Sequence, residues 1–152
     1  MTQPSLLSIA TAALLLSLVA VQAEDAFELP PINYSATTPT DRIAKLEAGL
    51  KSGKLKLDAS LSEKDFVAEL LKVLEVPAAS QVLVFSNTSL QNSHINPKQP
   101  RALYFSDDLY FGWSQGSNKF EIISTDPKLG VVFYLLERDP HEKKIEVFRE
   151  DA

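Results

Sequence analysis

The stretch RALYFSDDLYFGWSQGSNKFEIIS (residues 101–124) decides the fold, because apolar runs alternate in it with short polar turns. The same alternation continues to residue 148. The apolar runs are RALYFS (101–106), LYFGWS (109–114), KFEIIS (119–124), VVFYLLE (131–137) and KIEVF (144–148). The turns are Asp107-Asp108, QGSN (115–118), TDPKLG (125–130) and RDPHEK (138–143). Regular β-branched and aromatic runs with short turns predict an antiparallel β-meander. QVLVFS (81–86) precedes them and predicts a further strand, covered on both faces.

Two helices are predicted before these strands. In TPTDRIAKLEAGLKSGK (38–54), Thr40 or Asp41 can cap a helix that ends at Gly53. A second helix follows Ser62, with Asp65 at the distance of a capping box. Apolar residues recur at helical spacing in both segments. They are Ile43, Leu46 and Leu50 in the first, and Phe66, Val67, Leu70, Leu71 and Leu74 in the second.

The predicted fold class is therefore α+β, with two N-terminal helices packed on an antiparallel β-meander of about five or six strands. Residues 24–40 are rich in Pro, Ser and Thr and predict an extended leader. Residues 41–150 form the predicted single domain.

Residues 1–23, MTQPSLLSIATAALLLSLVAVQA, contain no charged side chain and end in a small residue before Glu24 and Asp25. This arrangement is typical of a secretory signal peptide cleaved after Ala23. The apolar run is short for a membrane-spanning helix, so no stable membrane span is expected after cleavage. The alternative is an uncleaved N-terminal anchor.

Composition excludes several functional classes. The formal net charge of −5 lacks the excess of basic residues typical of a nucleic-acid-binding protein, so no nucleic-acid partner is expected. The chain has no cysteine, which excludes disulfides, thiolate metal sites and covalent haem c within it. No cofactor and no metal site are predicted.

Five residues are candidates for binding a ligand or a partner: Arg101, Tyr104, Asp107, Asp108 and Trp113. Arg101 and the two Asp predict either a charged recognition cluster or an ion pair beside a turn, since Asp favours turns. Most of the aromatic residues are expected in the sheet core. Trp113, next to Gly112, is the candidate for a ligand contact.

A hydrolase would need one of the two histidines, His94 or His141, beside a serine such as Ser86 or Ser89. Neither serine lies in a Gly-x-Ser-x-Gly turn. The sequence therefore predicts no catalytic residue.

Residues 83–136 carry the string by which the chain resembles the N-terminal region of a group of bacterial secreted proteins, many of them periplasmic c-type cytochrome-like proteins; the resemblance covers roughly residues 44–137. The shared positions are Leu83–Ser86, Thr88–Gln91, Ile95, Pro97, Pro100–Ala102, Tyr104, Phe105, Asp107, Asp108, Tyr110, Gly112, Asp126, Pro127, Leu129, Gly130, Val132–Tyr134 and Leu136. In that group a Cys-x-x-Cys-His haem site often follows, and here it is absent. The chain is then either a haem-free relative or the front part of a longer haem protein.

The resemblance implies a non-catalytic domain exported to a bacterial periplasm, an accessory or binding module of c-type cytochrome proteins. Its implied partner is a haem-bearing protein or a missing C-terminal segment. A small secreted hydrolase and an envelope structural or interaction protein are the alternatives.

Overall fold

The computed structural model describes residues 26–85, Ser89 and 92–150, so the predicted signal peptide lies outside the described residues. The described chain forms two compact units, one ending at Thr38 and one beginning at Pro39. In the first unit a 3-10 helix spans Ala26–Glu28. The Glu28 carboxylate accepts hydrogen bonds from the backbone N–H (3.0 Å) and the hydroxyl (2.6 Å) of Ser35, which closes a compact turn.

The second unit begins with the two helices, and their local signals explain their ends. Helix α1 spans Arg42–Lys51, and Asp41 caps it by accepting from the backbone N–H of Ala44 at 2.8 Å. Helix α2 spans Glu63–Val73 and is capped by Ser62, which accepts from the backbone N–H of Asp65. Both predicted caps are confirmed, and so are the buried stripes Ile43, Leu46 and Phe66, Val67, Leu70, Leu71.

Six antiparallel strands follow and pair in chain order. They are β1 (Val82–Val84), β2 (Arg101–Phe105), β3 (Leu109–Trp113), β4 (Lys119–Asp126), β5 (Gly130–Asp139) and β6 (Lys144–Arg149). A short 3-10 helix, Ala78–Ser80, precedes β1, and another, Asn92–His94, lies between β1 and β2. Strands β4 and β5 extend into the predicted turns, because the Asp126–Gly130 and Asp139–Lys144 pairs continue the ladders.

The core lies between the helices and one face of the sheet. The Phe66 ring of α2 lies 5.5 Å from the Phe120 ring of β4, which in turn stacks on Phe111 of β3 at 5.6 Å. All three side chains are fully buried. The opposite face, called here the open face, carries the alternate side chains of each strand. On the four inner strands these include Arg101, Leu103, Phe105, Tyr110, Glu121, Ile123, Phe133 and Leu135.

The predicted arrangement of the fold is wrong, although the class α+β holds. The helices are not N-terminal: they lie at residues 42–73, after the first unit. The sheet is an open six-stranded sheet, and β1, expected to be covered on both faces, is an edge strand with Val82 46% and Leu83 56% exposed. Two helices, each about 10 Å across, can cover only one face of six strands spaced about 4.8 Å apart.

Candidate functional site

The five candidate residues lie in three separate places. Arg101 lies on the open face of β2. Tyr104 and Trp113 lie on the helix-covered face of β2 and β3, because they share the register of buried Phe111 and Ala102. Asp107 and Asp108 form the turn between these strands. The structure therefore does not bring the candidates together as one cluster.

Asp108 connects the β2–β3 turn to the start of α1 through an ion pair with Arg42. The Arg42 guanidinium donates from Nε to Asp108 Oδ2 at 3.1 Å and from Nη2 to Asp108 Oδ1. Its Nη1 also donates to the backbone carbonyl of Leu74, at the end of α2, at 2.6 Å. A two-pronged arginine–carboxylate pair fixes orientation as well as distance. Arg42 thus links the β2–β3 turn, α1 and the end of α2 through Asp108 and Leu74, and Asp107 beside Asp108 is exposed.

Trp113 and Tyr104 line a groove between α2 and the sheet. The Trp113 indole N–H donates to Glu63 Oε1 at 2.8 Å, and the same carboxylate accepts from the backbone N–H of Gly116 at 2.9 Å. The Tyr104 hydroxyl accepts from the Gln81 side chain at 2.6 Å. The groove has a volume of about 400 Å³, and its walls include Lys64, Val67, Ala68, Leu71, Tyr104 and Trp113.

Arg101 forms an ion pair across the open face. Its Nη2 donates to Glu121 Oε2 on β4, two strands away, and the two side chains are only 17% and 16% exposed. The guanidinium crosses β3 directly over Gly112, where a Cβ atom would lie 2.7 Å from Arg101 Cζ. The absence of a side chain at Gly112 therefore makes room for this pair. Glu121 Oε1 also accepts from the Ser89 hydroxyl at 2.8 Å.

A row of apolar side chains crosses the open face beside this ion pair. Phe105, Tyr110, Ile123 and Phe133 are direct neighbours across β2, β3, β4 and β5. The rings of Phe105 and Tyr110 stack at 6.1 Å. Phe105 is 40% exposed, Tyr110 52% and Phe133 49%. We call these four residues the aromatic row.

The sequence prediction placed most of the aromatic residues of the strands in the core, without separating those that lie on the open face. The correction follows from the period of a strand: adjacent pairs such as Tyr104-Phe105 and Phe133-Tyr134 put one ring on each face. Tyr104 and Tyr134 are buried, whereas Phe105 and Phe133 are exposed. Adjacent pairs of aromatic residues in the strands therefore indicate a second apolar face, which the sequence prediction did not identify.

A cavity of about 290 Å³ lies where the ion pair meets the aromatic row, and its lining includes Arg101, Glu121, Ile123, Phe133 and Glu150. Its floor is mostly apolar, with the Arg101–Glu121 pair at one side. Because Arg101 and Glu121 neutralise each other, Glu150 supplies the net charge of the lining, and the arrangement favours recognition of an apolar surface with a few polar contacts.

The buried carboxylates of the second unit hold α1 to the sheet. Asp126 is almost fully buried, which alone raises the pKa of its carboxyl group. Hydrogen bonds outweigh the burial and lower this pKa to about 2: the carboxylate accepts from the backbone and hydroxyl of Thr40 and from the backbone N–H groups of Lys128 and Leu129. Burial is the main cause that raises the pKa of Tyr134. The Asp41 carboxylate raises this pKa further, because it accepts a hydrogen bond from the Tyr134 hydroxyl at 2.9 Å.

The arrangement does not support serine hydrolysis at Ser89. A serine hydroxyl has one proton to donate, and Ser89 donates it to Glu121 rather than to a histidine base. His141 lies in the exposed β5–β6 turn. Ser86, the other predicted nucleophile, lies outside the described residues.

Comparison with protein-family models, with curated proteins and with solved structures finds no match for this chain. Within residues 26–85, Ser89 and 92–150, no group of three or more His, Asp or Glu side chains is placed to hold a metal ion. Over the same residues, no helix has the length and apolarity needed to cross a membrane.

Proposed function

We propose that this chain is a non-catalytic binding module whose open sheet face docks a protein partner. The observation that carries the proposal is the aromatic row, four apolar side chains in register across four strands with three exposed rings. Apolar patches of this kind on a protein surface mark interaction sites, because water contact with them is unfavourable. Aromatic residues also dominate the energies of protein interfaces.

The charges around the aromatic row suit a protein partner. The Arg101–Glu121 pair and the Lys119–Glu137 pair are both internally neutralised, so neither brings an uncompensated charge to the face. An interface with an apolar centre and a polar rim needs this distribution, because an uncompensated charge is costly to bury.

We further propose that the module acts in a bacterial periplasm and that its partner bears haem. The signal-like residues 1–23 support export. The resemblance of residues 83–136 to c-type cytochrome-like proteins supports a haem-bearing polypeptide, either separate or continuous with this chain. An envelope interaction protein is the second candidate, because an exposed aromatic patch is also what that role requires.

The test is to express the gene with its native downstream DNA in a haem-maturing bacterium and to isolate the exported product. Intact mass and a visible spectrum then show whether a haem-bearing polypeptide is attached or retained. We expect Tyr110→Lys to weaken retention of a separate haem protein at least about tenfold, as for a residue at the centre of an interface. Leu83→Lys is the matched control, since Leu83 is 56% exposed but lies on the other face of the sheet.

A colourless product with the mass of residues 24–152 and no retained haem protein would refute the haem partner and favour the envelope role. Equal effects of Tyr110→Lys and Leu83→Lys on retention would refute the open face as the docking surface.

A further inference from the structure

Among the described residues, β6 is the last strand of the sheet and pairs with no strand on its outer edge. The sheet order finishes with β6, which pairs only with β5 in the described part of the chain. At six residues it is twice as long as β1, the other edge. An edge strand presents backbone donors and acceptors that can pair with another strand.

The register with β5 shows which backbone groups point outward. Glu150 donates its backbone N–H to the carbonyl of Phe133 at 3.0 Å, so this is a hydrogen-bonded pair. Hydrogen-bonded pairs alternate along an antiparallel ladder, which makes Leu135–Phe148 the next one. The N–H and C=O groups of Ile145 and Val147 therefore point away from β5.

Room exists beside this edge. A groove of about 390 Å³ runs between the last turns of α1 and β6, and its lining includes Glu47, Leu50, Lys51 and residues 144–148. Ile145 and Val147 are half-buried. Their outward backbone groups can pair with a partner that is itself an extended strand, and apolar side chains suit the groove floor.

We propose that the occupant is β6 of a second copy, paired antiparallel about a twofold axis at Val147. Three registers pair the outward backbone groups of one β6 strand with those of the other. Each of them aligns five or more of residues 144–150 with the second copy. In two of them Glu146 meets a like charge, either Glu146 or Glu150 of the second copy. In the third, Val147 pairs with its own counterpart and Lys144 lies opposite Glu150 of the second copy, twice by symmetry. Opposite charges at facing positions stabilise a strand pair and like charges destabilise it.

A fourth alignment would place Lys144 opposite Glu146 with Ile145 at the axis. It needs Lys143 to continue the strand, but Lys143 has a φ of 54°, in the left-handed region. The remaining alignment centred on Val147 joins two six-stranded sheets into one of twelve strands. It uses the outer edge of β6 and not the aromatic row, so it does not depend on the proposed function, although Glu150 also lines the cavity beside Phe133.

The test is the concentration dependence of mass by sedimentation equilibrium of the purified exported chain. We expect a dimer whose dissociation constant rises about fivefold with Lys144→Glu and likewise with Glu150→Lys, because each variant creates two repelling pairs. The double variant Lys144→Glu/Glu150→Lys restores opposite charges and is expected within about twofold of the original.

Amide hydrogen exchange supplies a second readout that needs no variant. On dimerisation, exchange at Ile145 and Val147 slows, whereas Phe148 is already protected by β5. A chain that stays monomeric up to about millimolar concentration would overturn the proposal. So would a dimer that Tyr110→Lys disrupts while both charge variants and the Val147 amide are unaffected, since the contact would then lie on the open face.

Discussion

Replacing Gly112 by Ala tests whether this glycine exists to make room for Arg101. The added Cβ atom would lie 2.7 Å from both Cζ and Nε of the guanidinium. Ordinary contact between such atoms is about 3.5 Å, so the whole group must move away and its pairing with Glu121 is lost. The pair is mostly buried, so its strength falls between that of exposed pairs and that of fully buried ones, at about 1–3 kcal/mol.

Alanine also has an intrinsic advantage over glycine in a strand, of about 0.5–1 kcal/mol. The expected net loss of unfolding free energy for Gly112→Ala is therefore about 0–2.5 kcal/mol. The assay is urea unfolding followed by the fluorescence of Trp113, the single tryptophan of the sequence. In a chain that already carries Arg101→Ala, Gly112→Ala should leave the unfolding free energy unchanged or raise it. The coupling energy between positions 101 and 112 is then about 1–3 kcal/mol.

Gly130→Ala is the matched control for this double-mutant comparison of Gly112→Ala and Arg101→Ala. Gly130 has a φ of 73° with nothing near its absent Cβ, so alanine there costs about 1 kcal/mol through backbone strain alone. That cost should be the same with and without Arg101. If Gly112→Ala also costs the same in both backgrounds, the steric explanation is refuted.

Two further predictions concern carboxylates. Because the pKa of Asp126 is lowered to about 2 from 3.8, its ionised form stabilises the fold above pH 3.8, and this contribution is lost as the pH falls through 2. Asp126→Asn should therefore lower the unfolding free energy by about 1–3 kcal/mol at pH 7, as measured by urea unfolding, and by less as the pH approaches 2. A loss that does not change with pH would contradict a stabilising role for the ionised Asp126 carboxylate. Glu63→Gln leaves one oxygen to accept from both Trp113 and Gly116, so it should cost about 0.5–1.5 kcal/mol and shift the tryptophan emission. Glu69→Gln on the same helix is the control, and an equal effect there would argue against a specific role for Glu63.

The local structure was largely predictable from the sequence. The caps at Asp41 and Ser62 and the turn at Asp107-Asp108 depend on neighbours within a few residues, so their signals lie in short patterns. The positions of six strands followed from alternating apolar runs and turns. The prediction failed where it put the helices at the N-terminus and covered β1 on both faces.

The candidate site was less predictable, because its contacts join distant positions. Arg101 was expected either to pair with a nearby carboxylate or to join a charged cluster, and the sequence did not identify its partner, Glu121, twenty residues away across β3. Asp108 was a candidate for binding, and it holds Arg42, 66 residues earlier. A sequence pattern that spans a few residues cannot predict a pair whose members are 20 or 66 positions apart.

The sequence by itself determined the helix caps, the turns and the alternation of side chains along each strand, since backbone geometry within a few residues controls all of these. Only the tertiary structure decided which set of alternating side chains faces the helices and which faces solvent. The period of two along a strand assigns Tyr104 and Phe105 to opposite faces but does not say which face is covered. That choice depends on the summed packing of α1 and α2 against one face of the sheet, which leaves the aromatic row exposed.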